Sequence, residues 1–510
     1  MENTQSSSEV LGLQDDQPAG ERIFSSGPQR LRAMMRVLGV IVGLSSLTKL
    51  PSMLLGAFDD DGTHHAFFSS FALSFTIGIA LWWPNRRGRY QLRLRDGFLV
   101  VTLTWVAASL VSAVPFMYAP PHLSFTQAVF EATSGLTTTG ATIIVGLDAL
   151  PRSVLLYRQV LQFLGGIGIV VLAVAILPML KIGGTQLFRA ESSGMSRDNK
   201  LTPRIAETAR ALWWVYVGLT ALCAAAYWIG GMSLFDAICH ALTTVSTAGF
   251  STHDASFAYW NSPLLDSICI VFMLLGSMNF ALHFIAWRHA SIQAYFNDSE
   301  LRAFLRIVLA ATLLITLIVW AQQHFHHPAE AFRRAAFQTV ANLTTTGYAT
   351  DSFSLWPGPA PLLLVLLAFI GGCSGSTAGG LKVARVLMVL RQGLREVRQL
   401  IHPKGTFLVK LNGRQVSDAL VLSVSGFITL WVTCFVLLML GFNAAGLDLG
   451  SAFGATAATI TNLGPGLGAV ANHFADVGTV AVWMGTLGML LGRLEVFSIL
   501  VLLSPMFWRE

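Results

Sequence analysis

The sequence predicts an all-α polytopic membrane fold, in which an N-terminal helix hairpin is followed by four tandem units of helix, shorter helix and helix. Three observations carry this expectation. Mean hydropathy is +0.61 and only 12% of side chains are charged over 510 residues, too apolar for a water-soluble chain and too long for one anchor. Ten apolar stretches approach the about 20 residues that cross a hydrocarbon core of about 30 Å. Between them a polar phrase recurs, "LTTTG" at 136–140 and again at 343–347, inside segments too short to cross.

Taken in order, residues 1–32 are polar, carry acids and lack the basic start and short apolar core of a secretion signal, so a disordered cytoplasmic tail is expected. Residues 33–96 hold two apolar stretches, 33–56 and 66–83, and a basic loop; these form the hairpin. The remaining eight stretches pair into four units: 97–206 (stretches 97–119 and 153–180), 207–300 (207–230 and 263–287), 301–412 (301–322 and 360–395) and 413–510 (416–441 and 477–507). Of 33 Lys and Arg, 27 fall in segments that alternate with loops poor in them, such as "FDDDGTHH" at 58–65. The positive-inside rule puts the basic segments and the N-terminus in the cytoplasm. The net charge of +6 then follows from topology, and no nucleic-acid partner is needed; the surrounding partner is membrane lipid. The five cysteines stand singly in apolar or Gly-rich stretches, without CxxC or metal-ligand spacing, and read as small buried residues.

The shorter segments align on one glycine. "FTQAVFEATSGLTTTGAT", "LFDAICHALTTVSTAGFS", "FRRAAFQTVANLTTTGYA" and "LGSAFGATAATITNLGPG" place Gly140, Gly249, Gly347 and Gly464 in one column. Twelve residues before it stand Ala128, Ala237, Ala335 and Ala452. Four before stand Leu136, Val245, Leu343 and Ile460, and three before stand Thr137, Ser246, Thr344 and Thr461. Agreement among four copies in one chain is internal evidence of a repeat. A segment of about 12 residues must enter the membrane and return, and its non-helical end is tolerated only in protein or at a watery cavity. Four such ends around one axis make a pseudo-four-fold pore. Glycine allows backbone conformations that turn successive carbonyls inward, and rings of carbonyls replace a cation's hydration shell. Each short helix directs its partially negative C-terminal end the same way. The expected ligating strands are Thr138, Thr139 and Gly140; Thr247, Ala248 and Gly249; Thr345, Thr346 and Gly347; and Asn462, Leu463 and Gly464. The hydroxyls of Thr137, Ser246, Thr344 and Thr461 can add oxygens. The competing reading is that Thr- and Gly-rich ends only cap helices or let them pack closely.

A second polar stretch, "GGCSGSTAGG" at 371–380, interrupts the second helix of the third unit. Seven of its ten residues are Gly or Ser, and each Gly costs a helix about 1 kcal/mol relative to Ala. A break is expected at Gly371, Gly372, Ser374, Gly375, Ser376, Gly379 and Gly380, either lying across the permeation path as a movable gate or serving close helix packing. Arg493 lies mid-way along the last stretch, where a charge needs a partner or a functional reason. It reads as an electrostatic barrier under the strands or as a static pair with Glu495 or with carbonyls. Glu131 and Asp236 could attract cations at an outer mouth or be structural carboxylates. "HFHH" at 324–327 reads as a solvated helix end before a metal site, and "GGIGIV" at 165–170 is no dinucleotide loop, since no soluble strand precedes it.

These residues resemble a known family. "FEATSGLTTTGAT", "STAGFST", "LTTTGYAT" and "NLGPGLG" are similar to the four filter segments of the TrkH/TrkG/KtrB potassium-uptake proteins, at glycine spacings of 109, 98 and 117 residues. The likeness covers 33–510, including the extra hairpin that marks the TrkH branch. It implies a potassium pore in each chain, with one signature glycine per filter, the loop at 371–380 as an intramembrane gate and Arg493 as a barrier. The transported ion is K+, with no covalent cofactor and no enzymatic activity. It further implies a bacterial inner membrane, a homodimer and a TrkA-like cytoplasmic ring of nucleotide-binding domains docked on basic linkers such as 382–414. Relatives that prefer sodium carry serine at the first filter glycine, so Gly140 favours potassium. The fourth strand, with Asn462 and Leu463, departs most from the pattern. Whether flow is channel-like or ion-coupled is left open. The alternative is a secondary-active transporter of another cation or small solute, a class that often shows inverted repeats, whereas these repeats are parallel. An intramembrane enzyme lacks any nucleophile, metal or acid pair at usable spacing.

Overall fold

A computed structural model describes residues 27–86, 94–171 and 201–508. Expectations for residues 1–26, for most of the basic segments at 86–95 and 181–210, and for the end of stretch 153–180 lie outside the described residues. The first elements are α1 (Gly27–Ser46), α2 (Leu50–Asp59) and α3 (His64–Trp82), with a 3-10 turn at Leu47–Lys49 between the first two. α1 and α3 pack as the expected hairpin.

Four groups of elements follow. The first holds α4 (Leu94–Tyr118), the short α5 (Phe125–Leu136) and α6 (Arg152–Val171). The second holds α7 (Leu201–Ile229), the short α8 (Leu234–Val245), α9 (Pro263–Ser277), α10 (Phe280–His289) and α11 (Gln293–Asn297). The third holds α12 (Ser299–Ala321), the short α13 (Pro328–Leu343), α14 (Ala360–Ile370) and α15 (Val383–Ile401). A two-residue hairpin, β1 (Lys410–Leu411) and β2 (Arg414–Gln415), leads to α16 (Asp418–Ala444), the short α17 (Leu449–Ile460), α18 (Thr479–Arg493), α19 (Phe497–Leu503) and α20 (Pro505–Trp508).

Local chemistry starts each short helix. Ser124 and Gln127 form a reciprocal capping box on α5, Ser233 accepts from the Asp236 amide on α8, Pro328 opens α13, and Asp448 accepts from the amides of Gly450 and Ser451 on α17. These contacts satisfy amide groups that a helix start leaves without partners.

Among the described residues six helices are long and apolar enough to cross a membrane, or eight if two bent pairs each count as one span. Both bent pairs correct the sequence reading. Stretch 263–287 breaks at Met278 and Asn279, turning 96° from α9 into α10, and stretch 477–507 turns 111° between α18 and α19. Asn279 starts α10 by accepting the Ala281 amide, and Glu495 and Val496 take positive φ at the second break. Neither site has Pro or a Gly run, so hydropathy passed over both. Stretch 360–395 breaks as expected, with no helix between Ile370 and Val383.

The buried core runs around the bundle as linked clusters. One joins α4, α5 and α6 to α16, α17 and α18 through Phe116, Phe130, Leu161 and Phe442. A second joins the second group to α13 through Phe257 and Phe337 and packs on α6 at Phe163, and a third joins the third group to the fourth through Trp356, Trp431 and Phe435. The first group therefore meets the fourth, which closes the circle. All five cysteines are buried.

Candidate functional site

The four short helices end in the same way. In each, the amide two residues before the aligned glycine and the amide one residue before it bond back to the helix: Thr138 to the Gly135 carbonyl and Thr139 to Ser134, Thr247 to Thr244 and Ala248 to Thr243, Thr345 to Asn342 and Thr346 to Ala341, Asn462 to Thr459 and Leu463 to Ala458. This is the paired C-terminal capping pattern whose pivot residue is left-handed. Glycine usually fills that pivot. Here it is Thr138, Thr247, Thr345 and Asn462, with φ of 49°, 50°, 53° and 56°. A β-branched residue with positive φ costs on the order of 1–3 kcal/mol and persists only where its surroundings hold it.

The hydroxyls three before the glycine also act alike. Thr137, Ser246, Thr344 and Thr461 donate to the carbonyls of Thr133, Leu242, Val340 and Ala457 at 2.7, 2.9, 2.7 and 2.7 Å. Their protons are thus committed to the helix ends, and only their lone pairs remain for any other task.

Beyond the pivots, Gly140, Gly249, Gly347 and Gly464 all have positive φ, between 76° and 100°. Each leans on the next copy. A Cβ at Gly140 would overlap the Ala248 carbonyl oxygen, one at Gly249 that of Thr346, one at Gly347 that of Leu463, and one at Gly464 would stand 2.6 Å from that of Thr139. The contacts run first to second, second to third, third to fourth and fourth to first. Twelve expected residues therefore come together as a closed ring of four strands, including the divergent Asn462 and Leu463. Asn462 departs in side chain but not in backbone, and its amide donates to Thr139 Oγ1 at 2.9 Å and to the Met489 carbonyl at 3.0 Å.

The 371–380 segment lies against the short-helix ends that lead into this ring. Thr377 Oγ1 has the carbonyls of Val245 and Gly276 as acceptors for its single proton, at 3.1 and 3.0 Å, and meets Thr247 Oγ1 at 3.1 Å. The Gly379 amide donates to Thr345 Oγ1 at 2.6 Å, and the Gly380 amide to the Thr461 carbonyl at 3.0 Å. The segment thereby touches the ends of the second, third and fourth short helices. Arg493 supplies the first: its Nε donates to the Thr137 carbonyl at 2.6 Å, Nη2 to Thr138 Oγ1, and Nη1 to the Thr377 carbonyl at 3.2 Å.

Of the two partners expected for Arg493, the carbonyls are the ones it has. Glu495 pairs instead with Arg385 at 2.8 Å, because the turn after Arg493 carries residue 495 away from the ring. Within the expected break, Gly371, Gly375 and Gly380 have positive φ, and a Cβ at Gly372 would collide with the Ala378 side chain. Ser374 donates its amide to Glu300 Oε1 at 2.7 Å, and Ser376 donates to the Cys373 carbonyl. The Ala384 amide also donates to Glu300 Oε1, at 3.0 Å. Sequence reading missed Glu300, whose place at the start of an apolar helix gives no hint that it clasps both ends of a loop some eighty residues away.

Other candidates settle as structural. Glu131 is fully buried and paired with Arg158 at 2.8 Å, so it faces the protein and not an outer mouth. Asp236 accepts from Thr252 Oγ1 at 2.7 Å beside the helix cap. His324 stands 3.8 Å from Asp351, and no group of three metal-binding side chains occurs among the described residues. "GGIGIV" is part of α6. In the loops that follow the first and second ring strands His253 Nδ1 and Asp148 Oδ1 are 2.5 Å apart, and that hydrogen bond holds the Asp148 carboxyl below its ordinary 3.8.

Comparison with known proteins gives one consistent result. The TrkH family model, described as cation transport protein, matches residues 63–510. A Trk system potassium uptake protein TrkH of Salmonella typhimurium is 47% identical over 480 residues, 94% of this chain and 99% of that one. A TrkG protein of the Trk system in Escherichia coli is 39% identical over 94% of this chain and 99% of its own length. Among solved structures, the potassium transporter TrkH from Vibrio parahaemolyticus superposes with a TM-score of 0.88 at 45% identity, covering 94% of this chain and 99% of that one.

Proposed function

The chain belongs to the TrkH family of cation transport proteins, and from that premise we propose that it takes up potassium as the ion-translocating subunit of a Trk-type system. It is an integral membrane protein and a transporter, not an enzyme. The observation that carries the reading is the closed ring of Gly140, Gly249, Gly347 and Gly464, each set against the carbonyl that precedes the next copy's glycine.

In this reading the carbonyls of Thr139, Ala248, Thr346 and Leu463 form an oxygen ring that replaces the hydration shell of K+. Four helix C-terminal ends add partial negative charge around it. Thr138, Thr247, Thr345 and Asn462 line the approach, and Thr137, Ser246, Thr344 and Thr461 keep the helix ends from fraying. The ion needs no chemistry from the chain, since a membrane potential supplies about 2.3 kcal/mol per charge per 100 mV. Residues 371–380 act as the gate directly beneath the ring, and Arg493 as the barrier that shares their level. The four transport units are 97–206, 207–300, 301–412 and 413–510, after a 33–96 hairpin. The protein sits in the bacterial inner membrane with its N-terminus in the cytoplasm, as a homodimer. A TrkA-like nucleotide-binding ring docks on the cytoplasmic basic segments, of which 382–414 leads straight from the gate.

Rubidium uptake into potassium-loaded proteoliposomes, with external potassium or sodium as competitor, tests the reading. Strong competition by potassium and little by sodium is expected. Equal competition by both overturns selectivity, and organic-solute-dependent flux would revive the secondary-transporter alternative.

A further inference from the structure

The four strands of the ring have the same backbone but not the same support. A glycine of the following helix marks equivalent positions: Gly165 abuts the Leu136 carbonyl, Gly276 that of Val245 and Gly492 that of Ile460, each carbonyl lying four residues before a ring glycine. Counting back seven and three residues from these glycines gives Arg158 and Gln162 in the first unit, Cys269 and Met273 in the second, and Gly485 and Met489 in the fourth. Among these three units the polar pair occurs once, in the first.

Both side chains are fully buried, and both reach the second strand. Gln162 Nε2 donates to the Ala248 carbonyl at 2.8 Å, while its Oε1 accepts the Phe250 amide at 3.0 Å. One side chain thus holds the backbone on either side of Gly249. Among the described residues Ala248 is the only one of the four ring positions whose carbonyl accepts a side-chain hydrogen bond. One turn away, Arg158 donates to the Ser251 carbonyl and to Thr142 Oγ1, both at 3.0 Å, and its guanidinium lies 4.1 Å from the Phe250 ring centre. Glu131 balances that charge and accepts the Ile143 amide at 2.9 Å. The outward ends of the first and second strands are therefore tied to one another through a single buried ion pair.

We infer that Gln162, with Arg158 and Glu131 behind it, is a specificity-determining positioning residue: it fixes the orientation of the Ala248 carbonyl so that the ring discriminates potassium from sodium. The inference rests on the ring being the ion filter. By size fit, a carbonyl ring favours the larger ion while its oxygens resist closing on the smaller one. A side-chain amide that donates to the Ala248 carbonyl oxygen, and whose own oxygen is held by the Phe250 amide, supplies that resistance. Fully satisfied buried networks of this kind specify one geometry.

The test uses the full chain in cells that lack other potassium-uptake routes and supply the cytoplasmic subunits. Rubidium uptake is measured against potassium and sodium as competitors. Gln162→Met is the informative variant, because methionine already occupies the equivalent sites 273 and 489 and should pack here. Potassium-over-sodium discrimination is expected to fall roughly tenfold, with the maximal rate within a few-fold; a merely structural role would lower the rate and leave the ratio alone. Arg158→Lys keeps the charge facing Glu131 but cannot reach both Ser251 and Thr142, and should lower the ratio roughly threefold. It decides the matter if Gln162→Met does not assemble. Met273→Leu, a volume-conserving change at the equivalent place, should leave the ratio at the wild-type value. Gly249→Ala tests the filter itself. Loss of discrimination in Gly249→Ala with wild-type ratios in Gln162→Met and Arg158→Lys overturns the inference alone, whereas wild-type ratios in all three overturn the filter reading and the inference with it.

Discussion

The glycine ring and the segment beneath it are in contact, yet one is made four times and the other once. Each ring strand repeats the same helix cap, the same left-handed pivot and the same lean on its neighbour. The layer below has no such repeat: three of its four contacts come from residues 377–380 of the third unit and the fourth from Arg493. On the proposed function, the difference divides the work between the layers. Surrounding an ion needs equivalent oxygens on all sides, which repetition would supply. Opening and closing needs an element that moves without its neighbours, which the single loop would supply.

The strongest way to break this comparison is at the ring. Gly249→Ala puts a methyl group onto the Thr346 carbonyl at a φ of 81°, so a strain of about 2–3 kcal/mol should depress rubidium uptake roughly a hundredfold. Equal loss is expected at Gly140 and Gly347; a harmless result at any one of them would show that the copies are not equivalent. Next in size is Arg493→Ala. It removes the donor to Thr137, Thr138 and Thr377 together, and leak conductance without the cytoplasmic partner should rise about tenfold. Unchanged flux would leave Arg493 as packing only.

Glu300→Ala sharpens the contrast from the loop side. It removes the one oxygen that accepts both the Ser374 and the Ala384 amides. Basal flux should rise a few-fold with no change in potassium-over-sodium ratio. A changed ratio would mean that the two layers do not divide the work.

The smallest effect is expected at the rim formed by the Asp148 and His253 loops. The hydrogen bond from His253 lowers the Asp148 carboxyl in the folded protein, so its contribution to stability is present above the ordinary value of 3.8 and is lost as pH falls through the depressed folded value. Asp148→Asn should therefore lower the melting temperature slightly at neutral pH and make no difference in strong acid. Transport ratios should not move, since the rim lies outside both layers.

Much of this was legible beforehand for a physical reason. Fold class and span positions follow from hydropathy, because lipid demands long apolar helices. The four ring strands were found because repetition within one chain exposes a constraint that a single copy would hide: Ala, an aliphatic residue, a hydroxyl and glycine at fixed offsets. The break at 371–380 announced itself in its Gly and Ser content. The bends at 278–279 and 494–496 did not, since the residues there, Met278, Asn279, Leu494, Glu495 and Val496, carry no local signal strong enough to end a helix.

What the sequence determined alone is the list of parts: apolar helices, four glycine strands, one loop of small residues and a charge in the last span. Each is set by local chemistry, by how far an apolar run reaches or what a backbone without Cβ can do. Only the tertiary structure decided the pairings. It set Gly464 against Thr139, 325 residues away in sequence, gave Arg493 to carbonyls and Glu495 to Arg385, and buried Glu131 on Arg158. Such choices depend on which groups come within hydrogen-bond reach once four units close into a ring, and that distance is a property of the packed whole.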